Sequence, residues 1–120
     1  MIIENPDIVS RLLRVLGHED MRRIMVSIMD RAKSVAQISE ESGIPLRTCY
    51  DFILKMKDGG LIVVERSVIT DNGKLSDLYR CTYSELMLRC GAGKMEVHVT
   101  PHEGVADRFY RFLSLRRKLR

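Results

Sequence analysis

The hydrophobic period of this chain changes at Gly59-Gly60, and that change limits the folds open to it. Before the two glycines apolar residues recur every three or four positions; after them they run together or alternate. Helices must come first and a β-hairpin must follow, which reads as an α+β, mainly α architecture. The chain has 120 residues, the size of one ordinary domain, so a single domain over 1–120 is expected.

The helical half divides at its own punctuation. Ile8, Leu12, Val15 and Leu16 follow Asn5-Pro6, where Asn can cap a helix and Pro fits its first turn; Gly17 ends the run. His18 stands at the start of the next helix in a capping or surface role. Met21, Ile24, Met25 and Ile28 share one face there, with Glu19 and Asp20 in the first turn. Ser34 caps a third helix that turns Val35 and Ile38 inward. Gly43 then allows a tight turn, and Ile44-Pro45 restarts the chain into a fourth helix reaching about Asp58. In that helix Cys49, Phe52, Ile53 and Met56 read as inward, while Arg47, Tyr50, Asp51 and Leu54 lie opposite.

Past Leu61 the signals are those of strands. Leu61-Ile62-Val63-Val64 is β-prone, and Thr70-Asp71-Asn72-Gly73-Lys74 is a turn built on the hairpin dipeptide Asn-Gly. Leu78 to Tyr83 returns, alternating Tyr79, Cys81 and Tyr83 against Leu78, Arg80 and Thr82. Gly91-Ala92-Gly93 reads as a flexible break, and Met95, Val97 and Val99 as one face of a half-buried strand ended by Pro101. From about Glu103 the apolar stripe Val105, Phe109, Phe112 and Leu113 predicts a C-terminal helix over about 103–119.

Two helices, a helix–turn–helix over about 34–58 and a hairpin over about 61–84 form an order with a physical use. One helix braces the next against the DNA major groove, and the hairpin rests beside it as a wing. The stretches Leu13-Arg14-Val15-Leu16-Gly17-His18-Glu19-Asp20-Met21-Arg22-Arg23-Ile24, Val35-Ala36-Gln37-Ile38-Ser39-Glu40-Glu41-Ser42-Gly43-Ile44 and Ile53-Leu54-Lys55-Met56-Lys57-Asp58-Gly59-Gly60-Leu61-Ile62 carry a closer likeness. Over roughly residues 12–84 the chain resembles the winged helix-turn-helix regulators of the ArsR type. Ala36 stands as the small residue of the bracing helix and Gly60-Leu61 as the pair before the wing. The chain departs from that pattern in three places. The bracing helix lacks the paired cysteines of the metal sensors, the fourth helix opens on the less polar Pro45-Leu46-Arg47-Thr48, and residues 86–99 match no part of the family.

The resemblance implies a cytoplasmic transcriptional regulator that binds double-stranded DNA as a homodimer, with no cofactor. It makes the fourth helix the reading element, through Leu46, Arg47, Thr48, Tyr50, Asp51 and Lys55, with Arg66 and Lys74 reaching phosphate from the wing. Arg47 has the planar fork that suits guanine edges or a phosphate, and Asp51 can accept from cytosine or orient Arg47. The bland alternatives are a solvated helix face with an Asp51–Lys55 pair, and for Thr48 a local backbone hydrogen bond. The C-terminal helix would form the dimer seam with the first helix, spacing two reading helices about 34–36 Å apart.

Charge and composition narrow the alternatives. Net charge is +4, and removing Arg116, Arg117, Lys118 and Arg120 leaves the first 115 residues neutral, so the excess is a C-terminal cluster. A neutral body keeps a second class in view, a winged helix used for protein–protein association without specific DNA binding. No stretch approaches the ~20 apolar residues of a membrane span, and the N-terminus has no basic, apolar leader pattern. Three cysteines lack the spacing of a disulfide framework and suit a reducing compartment. Cys81, Cys90, His98 and His102 could form a metal constellation only across gaps unlike those of zinc sites. No phosphate loop, nucleophile motif or carboxylate pair beside a histidine points to an enzyme, and no residue identifies an effector.

Overall fold

The structure is a computed structural model and describes residues 1–102. A short strand β1 (Ile2–Ile3) precedes four helices, α1 (Pro6–Gly17), α2 (Glu19–Ser27), α3 (Val35–Ser42) and α4 (Leu46–Asp58). Four strands follow: β2 (Ile62–Ile69), β3 (Leu75–Cys81), β4 (Tyr83–Gly91) and β5 (Lys94–Pro101).

The first three helices begin where a side chain satisfies free amides, whereas α4 begins at Pro45 without one. Asn5 Oδ1 accepts from the Asp7 and Ile8 amides, at 2.9 and 3.4 Å. His18 Nδ1 accepts from the Met21 amide at 3.3 Å, and its ring stands edge-on to Phe52 with centroids 5.0 Å apart. Ser34 and Gln37 cap one another reciprocally at the start of α3. The buried faces follow the helical period: Leu12 and Val15, Ile24, Met25 and Ile28, Ile38, then Cys49, Ile53 and Met56. Phe52 and Val35 are only half-buried, flanking the core rather than filling it.

The strands form two antiparallel sheets, β2-β3 and β1-β5-β4. Ile62, Tyr79, Cys81 and Tyr83 close the core from the sheet side. Lys33, between α2 and α3, pairs with Tyr79 and gives the hairpin a one-residue third strand. The expected alternation along β3 is incomplete, because Leu78 and Thr82 are buried as well. Thr82 sits at the corner where the chain leaves one sheet for the other. Its hydroxyl donates to Gly60 O at 2.7 Å and its amide to Leu61 O at 2.9 Å, so a polar side chain is buried with its bonds made.

Several expectations are corrected here. The returning strand spans Leu75–Cys81, and Tyr83 belongs to the next sheet, so the wing ends short of residue 84. The turn expected over residues 70–74 is present, with the Thr70 amide donating to Lys74 O at 2.8 Å. Gly73 donates to Thr70 O at 2.8 Å and takes the left-handed conformation alone, at φ 75°, so the tip is a four-residue turn closed by a glycine bulge. Gly91-Ala92-Gly93 is no flexible break: Gly91 pairs with Lys94, and Ala92 (φ 51°) and Gly93 (φ 73°) make a tight two-residue turn. Residues 86–99, which match no part of the family, belong to β4, its turn and β5. They form a second hairpin whose β5 pairs with β1, Met1 and Val99 exchanging two backbone hydrogen bonds of 3.0 and 2.8 Å. That hairpin also corrects the mainly α expectation, since strand dominates the described chain from Ile62 onward. The helix expected over about 103–119 lies outside the described residues.

Ala92 is the one non-glycine residue with positive φ among the described residues. Left-handed backbone costs an L-residue other than Gly or Asn about 1–2 kcal/mol. Ala92→Asn is therefore expected to raise stability by about 0.5–1 kcal/mol, read as a higher urea midpoint with unchanged slope.

Candidate nucleic-acid interface

The presentation of α4 is set by the turn before it. Gly43, at φ 74°, donates its amide to Ser39 O at 2.9 Å and ends α3. Ser39 Oγ donates to Ile44 O at 2.6 Å, and the Ile44 amide donates to Ser42 Oγ at 3.2 Å. Ile44 is buried, and the Arg23 guanidinium reaches Ser42 O at 2.6 Å. Four hydrogen bonds and one buried side chain thus fix the angle between the two helices.

From that anchor α4 turns Cys49, Ile53 and Met56 inward and leaves a continuous outer face. Leu46 and Tyr50 are about half exposed, at 56% and 48%, and Leu54 is exposed at 37%. Arg47, Asp51 and Lys55 are also exposed, and Thr48 is half-buried at the edge of the face. Among the described residues Arg47, Asp51 and Lys55 form no ion pair, so the intrahelical Asp51–Lys55 bridge is not made. Pro45 occupies the N-cap and offers no side-chain acceptor, which leaves the first-turn amides open to an outside group. Thr48 makes no local backbone hydrogen bond with its hydroxyl among the described residues.

The wing brings a second set of cations to the entrance of α3. An open groove of about 670 Å³ runs between Arg31, Ser34 and Gln37 on one side and Arg66, Ser76 and Arg80 on the other. Three guanidiniums line it against one carboxylate, Glu65. Glu65 is the extra residue of a bulge in β2, between Val64 and Arg66. Its carboxylate takes hydrogen bonds from Arg80 at 2.7 Å and Arg66 at 3.2 Å. Arg80 also donates to Asp30 O at 3.1 Å and is held as part of the frame, whereas Arg66 stays 65% exposed. Lys74 lies exposed beside the hairpin tip.

Residue order indicated the α4 face and the wing cations Arg66 and Lys74, but not Arg31, Ser34, Gln37, Ser76 or Arg80. These meet because Lys33 and Tyr79 exchange backbone hydrogen bonds of 2.9 and 2.8 Å across a long sequence separation. The run Arg31-Ala32-Lys33-Ser34 ahead of a capped helix was the available local sign. Lys33 itself bridges to Glu41 at 2.6 Å, and that hydrogen bond holds the Glu41 carboxyl below its ordinary range.

The element order, the bracing and presented helices and the hairpin with its edge bridge define a winged helix-turn-helix fold. No protein-family model matches the chain, and no curated protein does. Among solved structures it is similar to a solution structure from Mycobacterium bovis, the homodimeric winged helix-turn-helix DNA-binding domain (fragment 1–100) of a possible ArsR-family transcriptional regulator. Identity is 19%, the alignment covers 93% of this chain and 81% of that one, and the TM-score is 0.52. At that identity the likeness establishes the fold.

The cysteines and histidines are dispersed by the strand register. Cys81 is buried in β3, Cys90 is exposed opposite Met95, and His98 lies opposite Met87 with Nε2 2.8 Å from the Glu96 carboxylate. Among the described residues no three His, Cys, Asp or Glu side chains converge as a metal site. Burial pushes the Cys81 thiol up to about 11 and also raises that of Cys49, so both remain protonated near neutrality. Titration with a thiol reagent at pH 8 is expected to modify Cys90 at once, and Cys49 and Cys81 only after denaturation. Rapid native labelling of Cys81 would contradict its placement.

Proposed function

We propose that the protein is a sequence-specific, double-stranded DNA-binding transcriptional regulator that acts as a homodimer, in the simplest case by occluding a promoter. The observation that carries this reading is the outer face of α4. It sets a guanidinium, a phenol and a carboxylate side by side at exposed positions without ion partners, next to uncapped first-turn amides. Such groups satisfy base edges and phosphates well, and a chain gains little by leaving them idle.

Roles follow from position. Arg47, Tyr50 and Asp51 read base edges, while Leu46 packs on a thymine methyl or sugar. Thr48 and the first-turn amides hold a phosphate, and Lys55, Arg66 and Lys74 contact the flanking backbone. Arg31 and the groove beside the wing add to that backbone contact. The fold shared with the homodimeric M. bovis DNA-binding domain supports the dimeric form. Exposed Leu46 and Leu54 on the same helix favour a second reading, association with a protein partner through α4.

Binding to duplex DNA from the protein's own promoter, followed across a salt series, separates the two. Affinity should fall with salt at a log–log slope of about −0.9 per phosphate neutralised. Arg47→Ala is expected to cost about 1–3 kcal/mol on the cognate duplex and to relax specificity. Lys74→Ala should weaken all duplexes alike and reduce the slope by about 1. Absence of duplex binding at low salt would leave the protein-association reading.

A further inference from the structure

β4 is an edge strand. In the sheet order β1-β5-β4 it pairs with β5 on one side and, among the described residues, with nothing on the other. Its nine residues, Tyr83–Gly91, carry Leu86, Met87 and Leu88 at the centre, with Met87 and Leu88 exposed at 50% and 44%. A long, apolar, unpaired edge is a template for another strand, and natural proteins cover or blunt such edges.

The direction of the free backbone groups follows from the pairing. Met1 and Val99 exchange both of their hydrogen bonds, so Val99 and, two residues on, Val97 address β1. His98 and Glu96 therefore address β4, bonding Met87 and Arg89, their partners in register. That leaves the amides and carbonyls of Leu86, Leu88 and Cys90 pointing out from the free edge, while Ser84 is the extra residue of a bulge and its hydroxyl donates to Thr100 O at 3.0 Å.

We propose that the free edge of β4 pairs antiparallel with β4 of a second copy, about a two-fold axis at Met87. The inference rests on the dimeric reading above and assigns its seam. In this register Leu86 meets Leu88 of the second copy as a hydrogen-bonded pair, and Met87 meets its own counterpart as a non-hydrogen-bonded pair. Glu85 falls opposite Arg89 of the second copy, and symmetry makes that ion pair twice. Within one chain Glu85 and Arg89 form no ion pair with any described residue, although both stand exposed on this strand. A strand with acid and base equidistant from an apolar centre is complementary to itself only when antiparallel. The axis stands perpendicular to the sheet, so both bodies pack on the same side of a continuous β1-β5-β4-β4-β5-β1 sheet.

Sedimentation of the full chain tests this. Wild type is expected to be a dimer. Glu85→Arg and Arg89→Glu should each weaken dimerisation by roughly tenfold or more, and the double exchange should restore it. Met87→Cys in a Cys90→Ser background should cross-link on mild oxidation, because the two positions lie about 4.5 Å apart across the axis. Arg89→Cys in that background should not, being about 14 Å from its counterpart. An unchanged far-ultraviolet circular dichroism spectrum keeps dissociation distinct from unfolding, since loss of a subunit contact by itself lowers the melting temperature. A dimer indifferent to both charge reversals, or lacking the Met87→Cys link, overturns the proposal and returns the seam to α1 and residues 103–119. Duplex binding read on the same samples separates the two inferences. A wild-type monomer that binds duplex overturns the seam alone, and a dimer dissociated by charge reversal that never binds duplex overturns the DNA reading alone.

Discussion

Main-chain hydrogen bonds between the α2–α3 connection and β3 join the helical half of the molecule to its strands. The Cys81 amide donates to Ile28 O at 3.0 Å, and Lys33 and Tyr79 exchange bonds of 2.9 and 2.8 Å. These bonds place the start of α3 against the wing, and α3 in turn sets α4 through the Gly43 turn. The outer face of α4 and the cationic groove thus share one rigid origin. Backbone bonds suit this task because they fix register as well as proximity, which side-chain contacts alone do less well.

The polar groups divide into those that hold the frame and those left facing outward. Lys33, Glu41, Glu65, Arg80 and Thr82 are engaged within the molecule. Lys33–Glu41 and Arg80–Glu65 are partly buried, and together with the backbone bonds they orient the α2–α3 connection and the wing. Arg47, Asp51, Lys55, Glu85 and Arg89 form no ion pair within the described chain. They cluster in two places, the outer face of α4 and the edge of β4, and these are the surfaces for which a partner is proposed.

Much of the helical half was legible from residue order, because helix signals are local. Asn5, Ser34 and Gly43 act where they stand, and Cys49, Ile53 and Met56 recur at the helical period that places them inward. The strand half was less legible. Asn72-Gly73 announced a hairpin, yet the turn adopted uses only the glycine, since the same dipeptide fits more than one turn type. Gly91-Ala92-Gly93 looked like a flexible break, and only the pairing of β4 with β5 makes it a tight turn, with Ala92 held at positive φ against its local preference.

Residue order alone carried the succession of elements, the α4 face with Arg47, Tyr50 and Asp51, and the presence of a wing, because each depends on spacing within one segment. Folding was needed to bring Arg31, Ser34 and Gln37 to Arg66 and Arg80, to turn Glu65 out of the β2 ladder, and to set β5 beside β1. Which strand lies next to which, and which edge stays unpaired, depends on residues far apart in sequence. Strand pairing is a non-local bargain between backbones, with hydrogen-bonding groups that are the same at nearly every position, so no short pattern of side chains encodes it.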